Sequence, residues 1–427
     1  MSGAGTASPV APNVIGILPW PDRFEDFHDN VGITLEDFRD RLRGTWLITY
    51  LEALRSARIH PILYLFSARI REPVRFVQAS TGVSVRVFPT PSLHRKLQGA
   101  RDRFGIRSPA YGSALSYVAT PWIRLARELR RDGCEAILCQ EYEYARFDEA
   151  VALGRMLRLP VFATFQGADA PWSALERPIR RVSVRRAAGL IAGSRTEIHR
   201  VQREYGVGRE RIAWIPNPFD VKGWPPGDRQ AARAVLGIPP GVIAVVWHGR
   251  VEVYNKGLDL LVAAWRLVCG TRRDRLPLLL LIGSAQDDEL FRRSLATLPA
   301  GTVRWDDRFV LDRDALWRNL SAADIAVRPS RNEGFSVALV EAMSCGLPVV
   351  AADASGVVEA LPDGVGLVVP REDAQALAQA IGRLVDDERL RRSLGERARD
   401  HAQQWFSIEA VGARLRAFMH ARGLPRH

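Results

Sequence analysis

Residues Arg331 to Asp353 read R-N-E-G-F-S-V-A-L-V-E-A-M-S-C-G-L-P-V-V-A-A-D, and few folds accommodate such a stretch. Phe335, Ala338, Leu339, Ala342 and Met343 recur at helical spacing. Gly346 and Pro348 stop that helix, and Val349-Val350-Ala351-Ala352 is a short, fully apolar run suited to a parallel strand. Loop, helix, tight turn and buried strand together make the repeating unit of an open α/β sheet. Between Glu333 and Asp353 the one charged residue is Glu341. A carboxylate on an otherwise apolar helix needs a partner, because burying it unpaired costs roughly several kcal/mol. Glu333 precedes the helix start, and Gly334 beside it lets a ligand approach the backbone closely. The free N–H groups of the first turn, near Phe335 and Ser336, favour an anion such as phosphate. One element therefore offers a phosphate seat and two carboxylates that accept hydrogen bonds from hydroxyls, a receptor suited to a sugar nucleotide.

The pattern E-G-F-S-x4-E-A-M-x-C-G-x-P-V-V resembles the Glu-x7-Glu signature of retaining glycosyltransferases of the GT-B fold, most of all glycosyltransferase family 4. The resemblance implies an α/β protein of two facing Rossmann-like domains with parallel sheets and a C-terminal helix crossing back to the first domain. It also implies that Glu333 contacts the donor sugar and that Glu341 holds the ribose hydroxyls. The bland alternative is a structural βαβ turn with two solvated carboxylates.

The chain has 427 residues, which favours two domains. Its 47% hydrophobic and 25% charged residues are ordinary for a soluble globular enzyme. Cys134, Cys139, Cys269 and Cys345 show neither metal-type spacing nor a disulfide framework, so a reducing cytoplasm is the expected location. The opening M-S-G-A-G-T-A-S-P-V-A-P lacks a basic segment followed by an apolar core and reads as a frayed tail. No apolar run reaches the ~20 residues of a membrane span. The net charge of +12 is uneven: residues 1–220 hold 32 basic and 23 acidic residues, the remainder 28 and 25. A basic first half makes an anionic membrane surface, on the inner face of the membrane, a candidate partner alongside phosphate-bearing acceptors. Nucleic acid is not expected, since no stacking-rich or zinc motif accompanies the charge.

In chain order, Val14 to Leu18 is an apolar strand ended by Pro19, followed by a long polar and aromatic loop, W-P-D-R-F-E-D-F-H-D-N-V-G. A loop of that length beside the first strand is more often functional than idle. The resemblance implies that it carries small residues near the donor phosphates, and Gly32 is the best match, although the family's paired glycines are missing. Helical spacing spans Thr45 to Arg58, and Ile62–Phe66 and Val83–Phe88 read as strands. Ser92 to Ser108 sets five basic residues against the single acid Asp102, and Pro121 to Arg131 is a basic helix that suits either a bilayer surface or a solvated face. Ala136–Cys139 and Val161–Phe165 are buried-strand candidates, the second ending in T-F-Q-G-A-D. Ligand groups collect at carboxyl ends of strands in open sheets, which favours Gln166, Gly167 and Asp169 on the acceptor side. The family commonly has His where Gln166 stands; Gln hydrogen-bonds a sugar hydroxyl but neither titrates nor acts as a general base. A basic helix (Pro178 to Ala187), a strand (Leu190 to Ala192) and a helix (Thr196 to Tyr205) follow. R-I-A-W-I-P-N-P-F-D resembles the segment ending the family's first domain, and Pro225-Pro226-Gly227 marks a linker.

The second half restarts with strand Val242 to Trp247 and H-G-R-V-E-V-Y-N-K-G. Gly249-Arg250 and Lys256-Gly257 resemble the family's diphosphate clamp, which implies that Arg250 and Lys256 stabilise the leaving nucleoside diphosphate. Strand Leu278 to Ile282 leads to Gly283-Ser284, Phe309 and Val310 stand where the family presents backbone to the nucleobase, and strand Ile325 to Arg328 leads back to the opening motif. Helices at Asp373–Val385 and Glu388–His401 precede a final one past Trp405. The division implied is 1–222 for the acceptor domain, 223–405 for the donor domain and 406–427 for the crossover helix.

The primary reading is thus a retaining, metal-independent hexosyltransferase that moves a sugar from a nucleoside-diphosphate sugar to a hydroxyl acceptor in polysaccharide, glycolipid or glycoconjugate synthesis. No cofactor is expected. Glu333, Arg250, Lys256 and Gln166 form the implied catalytic set; Gly32, Gly249, Ser284, Phe309, Val310, Gly334, Phe335, Ser336 and Glu341 line the implied donor site. By the resemblance, the leaving diphosphate itself helps deprotonate the acceptor, so no protein nucleophile is required. A sugar-nucleotide epimerase or glycan phosphorylase is the nearest enzyme rival, and an inactive sugar-nucleotide-binding module the non-enzyme one. Neither a G-x-G-x-x-G after a leading strand nor a P-loop is present, which counts against dehydrogenase and NTPase roles.

Overall fold

The computed structural model describes residues 12–29, 32–167, 173, 176–272, 276–284, 289–307, 312–333 and 335–426. The chain forms two compact units, Met1–Pro218 with Ile408–His427, and Phe219–Ser407.

The strands of the first unit are β1 (Asn13–Pro19), β2 (Ile59–Ser67), β3 (Val74–Gln78), β4 (Val83–Pro89), β5 (Ala136–Gln140), β6 (Val161–Thr164), β7 (Gly189–Ala192) and β8 (Ile212–Trp214). They pair in the order β3-β4-β2-β1-β5-β6-β7-β8. Only β3 runs antiparallel, on β4. The second unit has β9 (Ala244–His248), β10 (Leu278–Ile282), β11 (Val303–Asp306), β12 (Ile325–Arg328), β13 (Val349–Ala352) and β14 (Leu367–Val369), all parallel, ordered β11-β10-β9-β12-β13-β14. Both sheets are doubly wound. Consecutive crossovers run one way from β1 and β9, then reverse across β5 and β12, and each sheet is buried on both faces by helices. That is why β9, β10, β12 and β13 read as unbroken apolar runs, and each is buried along its whole length.

Three edge strands were not marked in the sequence: β3, β11 and β8, the last read only as part of the closing R-I-A-W-I-P-N-P-F-D segment. β3 and β11 were not anticipated, because both are short edge strands whose solvent side carries charge (V-R-F-V-Q and V-R-W-D) and breaks the apolar run. The segment after β1 is also more ordered than a loop. It contains the helices Phe24–His28 and Leu35–Asp40, held by a Phe24–His28 stack at 4.0 Å and by Phe38, fully buried against both rings.

The chain returns to the first unit through the helix Ile408–Ala421. Val411, Leu415 and Met419 from this helix join the core that holds Tyr50, Leu51 and Leu54 of the helix Trp46–Ser56. A Cβ at Gly412 would stand 2.1 Å from the Ala53 carbonyl oxygen, so the two helices approach to a distance that only glycine permits. Gly412→Ala should therefore cost about 1–3 kcal/mol by overpacking. Urea unfolding followed by circular dichroism checks this, and an unchanged midpoint would show that the final helix does not depend on the close approach.

Candidate functional site

In the second unit the chain leaves β9 and β12 in opposite directions, which opens a crevice beyond their carboxyl ends. β9 ends at His248, followed by Gly249 and Arg250; β12 ends at Arg328, followed by Pro329, Ser330 and the loop to Glu333. The two loops are drawn together. Gly257, at φ +63, lies so near Pro329 that a Cβ would stand 2.0 Å from its carbonyl oxygen. Arg331 donates its backbone N–H to the Asn255 carbonyl at 2.9 Å. Its guanidinium grips Asp259 at 2.7 and 2.8 Å and Glu372 at 2.5 and 2.9 Å, donates to the Tyr254 carbonyl at 2.6 Å and lies over the Tyr254 ring. Those bonds hold the segment carrying Lys256 against the segment carrying Glu333.

The result is an ion pair. Lys256 Nζ lies 3.1 Å from Glu333 Oε1, which also accepts from Ser330 Oγ at 3.0 Å. Arg250 is placed differently. Its side chain is 77% exposed and reaches Glu252 at 3.1 Å, the kind of exposed pair worth at most about 1 kcal/mol and readily given up for a ligand.

Glu341 lies on the helix Val337–Ser344, whose N-cap, Ser336, makes no side-chain capping bond. The partner that the sequence required for it is His248. Glu341 Oε2 lies 2.8 Å from His248 Nε2, and Arg328 approaches His248 Nδ1 at 2.5 Å. The same Arg328 nitrogen lies 3.1 Å from Nε2, so it sits over the ring and not on the Nδ1 lone pair; the Glu341 carboxylate only accepts, so the Nε2 proton points at Oε2. Arg328 also donates to the His248 carbonyl oxygen and, at 3.2 Å, to that of Ala338. Burial and the adjacent Arg328 push the His248 pKa down to about 4. Burial pushes Arg328 down to about 10 while the charges of Glu333 and Glu341 pull it up, so it remains a cation at neutral pH. His248, Arg328 and Arg331 were missed in the sequence. The available signal was a cationic or imidazole side chain closing an otherwise apolar strand, twice.

The remaining sequence-predicted residues are dispersed. Phe335 packs edge-on against Phe406, with ring centroids 5.9 Å apart. Gly249 and Gly283 meet so tightly that a Cβ on Gly283 would lie 1.8 Å from the Gly249 carbonyl oxygen, and the Ser284 carbonyl accepts from Val251 N–H at 3.3 Å. In the first unit, Gln166 follows β6 and exchanges amide hydrogen bonds with Asn217 at 3.0 and 3.3 Å. Its side chain also donates to Thr164 at 2.9 Å. Its backbone N–H goes to Glu141 at 2.8 Å, a buried residue held at φ +101 just past β5. A non-glycine residue at such a φ is strained, and strain of this kind clusters at ligand sites. Gly167 (φ +97) and Gly32 (φ +67) are exposed turn residues. Asp169, Phe309, Val310 and Gly334 lie outside the described residues.

The neutral His248 has a consequence for stability. Its folded pKa of about 4 lies below the ordinary value of 6.5, so the unfolded chain takes up the proton first as pH falls. The stabilisation is complete above pH about 6.5 and is lost toward pH 4, by about 3 kcal/mol for the full shift. His94, buried in the first unit and also pushed down to about 4, acts in the same direction. Thermal midpoints should fall steeply between pH 6.5 and 4.5, and replacement of His248 by Gln should flatten part of that slope.

Residues 76–222 match Glycosyltransferase Family 4 and residues 228–401 match Glycosyl transferases group 1. The chain is 34% identical over 232 residues to a D-inositol 3-phosphate glycosyltransferase of Jonesia denitrificans, covering 52% of this chain and 54% of that protein. It is 30% identical over 273 residues to a GDP-mannose-dependent monoacylated alpha-(1-6)-phosphatidylinositol monomannoside mannosyltransferase of Corynebacterium glutamicum, covering 60% of this chain and 68% of that one. The chain spans about half the length of the first-ranked curated relatives it matches. Among solved structures, Anabaena Alr3699/HepE in complex with UDP superposes with a TM-score of 0.67 at 17% identity, over 96% of this chain and all of that one. With two doubly wound units and matches along most of its length, the chain belongs to glycosyltransferase family 4 and has the GT-B fold.

Proposed function

We propose that the protein is a retaining, metal-independent glycosyltransferase that takes a sugar from a nucleoside-diphosphate donor held at the carboxyl ends of β9 and β12. The Lys256–Glu333 pair beside the uncapped helix Val337–Ser344 carries this reading. An incoming diphosphate competes for Lys256, and the first-turn N–H groups of the helix add their dipole to the attraction. Glu333, released from Lys256, then accepts from a hydroxyl of the sugar. Arg250, held only by an exposed pair, swings to the same phosphates. As the bond from the anomeric carbon to the diphosphate oxygen breaks, the acceptor oxygen bonds on the same face, and its proton passes to the departing diphosphate. The configuration is retained without a protein nucleophile. The UDP complex of the Anabaena protein and the GDP-mannose dependence in the name of the Corynebacterium relative support a nucleotide donor. The inositol phosphate and phosphatidylinositol acceptors in the relatives' names support a polyol or glycolipid hydroxyl as acceptor.

The roles separate experimentally. Lys256→Ala should cost on the order of 2–4 kcal/mol of transition-state stabilisation, since it faces the charge that develops on the diphosphate. Glu333→Gln should leave binding of the bare nucleoside diphosphate nearly intact and depress transfer, whereas Glu341→Gln should weaken binding of the nucleotide itself. Calorimetry with diphosphate and with intact donor checks this. Equal losses for both ligands in Glu333→Gln would overturn the assignment.

A glycolipid acceptor also requires access to a lipid surface. In the helix Trp122–Arg131, Leu125, Ala126 and Leu129 are buried, while Ile123 is 71% exposed beside exposed Arg124 and Arg127. The helix Ser92–Phe104 presents Phe104, 70% exposed, beside exposed Arg101 and Arg103. Apolar side chains among arginines suit an anionic bilayer. The protein should sediment with anionic vesicles and be released as salt rises; equal binding to neutral vesicles would exclude this partner.

A further inference from the structure

Glu341 is a partly buried carboxylate with two oxygens, and the structure uses them unequally. Oε2 faces His248, and among the described residues no hydrogen bond engages Oε1. Arg328 packs against the same ring, with one nitrogen 2.5 Å from Nδ1 and 3.1 Å from Nε2, and donates to the His248 carbonyl oxygen. Arg328 also bonds the Ala338 carbonyl in the first turn of Glu341's own helix. Arg328, His248 and Glu341 therefore form one contiguous cluster, closed back onto the helix that carries the carboxylate.

We propose that His248 is a positioning residue for nucleotide recognition: packed against Arg328, it occupies Glu341 Oε2 through its Nε2–H and leaves Oε1 for a vicinal diol, the ribose of the donor. This rests on the reading of Glu341 as the nucleotide-binding carboxylate. The physical need is specific. Glu341 and Arg328 lie close enough to influence each other's charge, and without an intervening group a carboxylate and a guanidinium form a direct bidentate pair. Such a pair would consume both oxygens of Glu341. His248 prevents it by standing between them, donating to the anion through Nε2 with its ring against the cation, a polarity that a carboxamide reproduces.

That polarity sets the test. His248→Phe keeps the ring and removes both nitrogens, while His248→Gln restores a donor for Glu341. The probes are UDP and GDP, each with its 2′,3′-dideoxy counterpart, titrated by calorimetry. Wild type should prefer the ribonucleotide that it binds over the dideoxy form by tenfold or more. In His248→Phe that preference should collapse to within about twofold while affinity for the dideoxy form stays put, and His248→Gln should recover most of it. Equal losses on both nucleotides in His248→Phe, or a His248→Gln variant as impaired as His248→Phe, would mean that the ring only fills space and would overturn the inference. If His248→Phe does not fold, the result for His248→Gln decides alone. A preference that persists in His248→Phe defeats the inference while leaving the functional reading intact. Wild-type protein that binds neither diphosphate would defeat the functional reading first.

Discussion

A charged guanidinium buried at the end of a central strand is the constraint around which the second unit is arranged. Arg328 is 4% exposed, and leaving such an ion without partners costs several kcal/mol, roughly. The solution is distributed. The His248 and Ala338 carbonyls accept from it, the His248 ring packs against it, and Glu333 and Glu341 supply the compensating charge nearby, while its Nε finds no partner among the described residues. These partners lie on three segments: the end of β9, the helix Val337–Ser344, and the loop before it. One buried cation therefore dictates how the β9 loop, the β12 loop and the following helix meet. Arg331 repeats the device at the rim, pairing with Asp259 and Glu372 to tie the β9 loop down from the outside.

Much of this fold was legible in the sequence because parallel strands buried on both faces leave uninterrupted apolar runs. Leu278–Ile282 and Val349–Ala352 are read directly and observed with those bounds. What escaped were edge strands such as β3 and β11, where one face meets water and the alternation spans too few residues to separate from a loop. The helix Phe24–His28 escaped for a different reason. It is stabilised by contacts with Phe38 and by the Arg23–Asp26 bonds rather than by a long apolar period. For the site, spacing marked Glu333 and Glu341, and a lone charge on an apolar helix announced that Glu341 has a partner. It could not say which, since His248 lies 93 positions earlier and meets Glu341 only through the adjacency of β9 and β12. Long-range pairing of this kind is set by strand order, which local sequence does not encode.

The two carboxylates differ in how firmly they are held. Glu341 is engaged by a buried, neutral imidazole anchored to a buried cation, and the low local dielectric makes that arrangement costly to disturb. Glu333 is engaged by a lysine whose side chain is 25% exposed, in a pair that water can screen. A ligand that brings its own negative charge can exchange with Glu333 for Lys256 at small net cost, because the number of ion pairs is conserved. The same ligand gains nothing by displacing His248 from Glu341, because a neutral ring offers no charge to compete for. On the proposed function, the rigid carboxylate is suited to reading a fixed feature common to every donor, and the exchangeable one to a group whose contacts change as the reaction proceeds. The division of labour follows from burial and from the charge state of each partner, not from the carboxylates themselves, which are chemically identical.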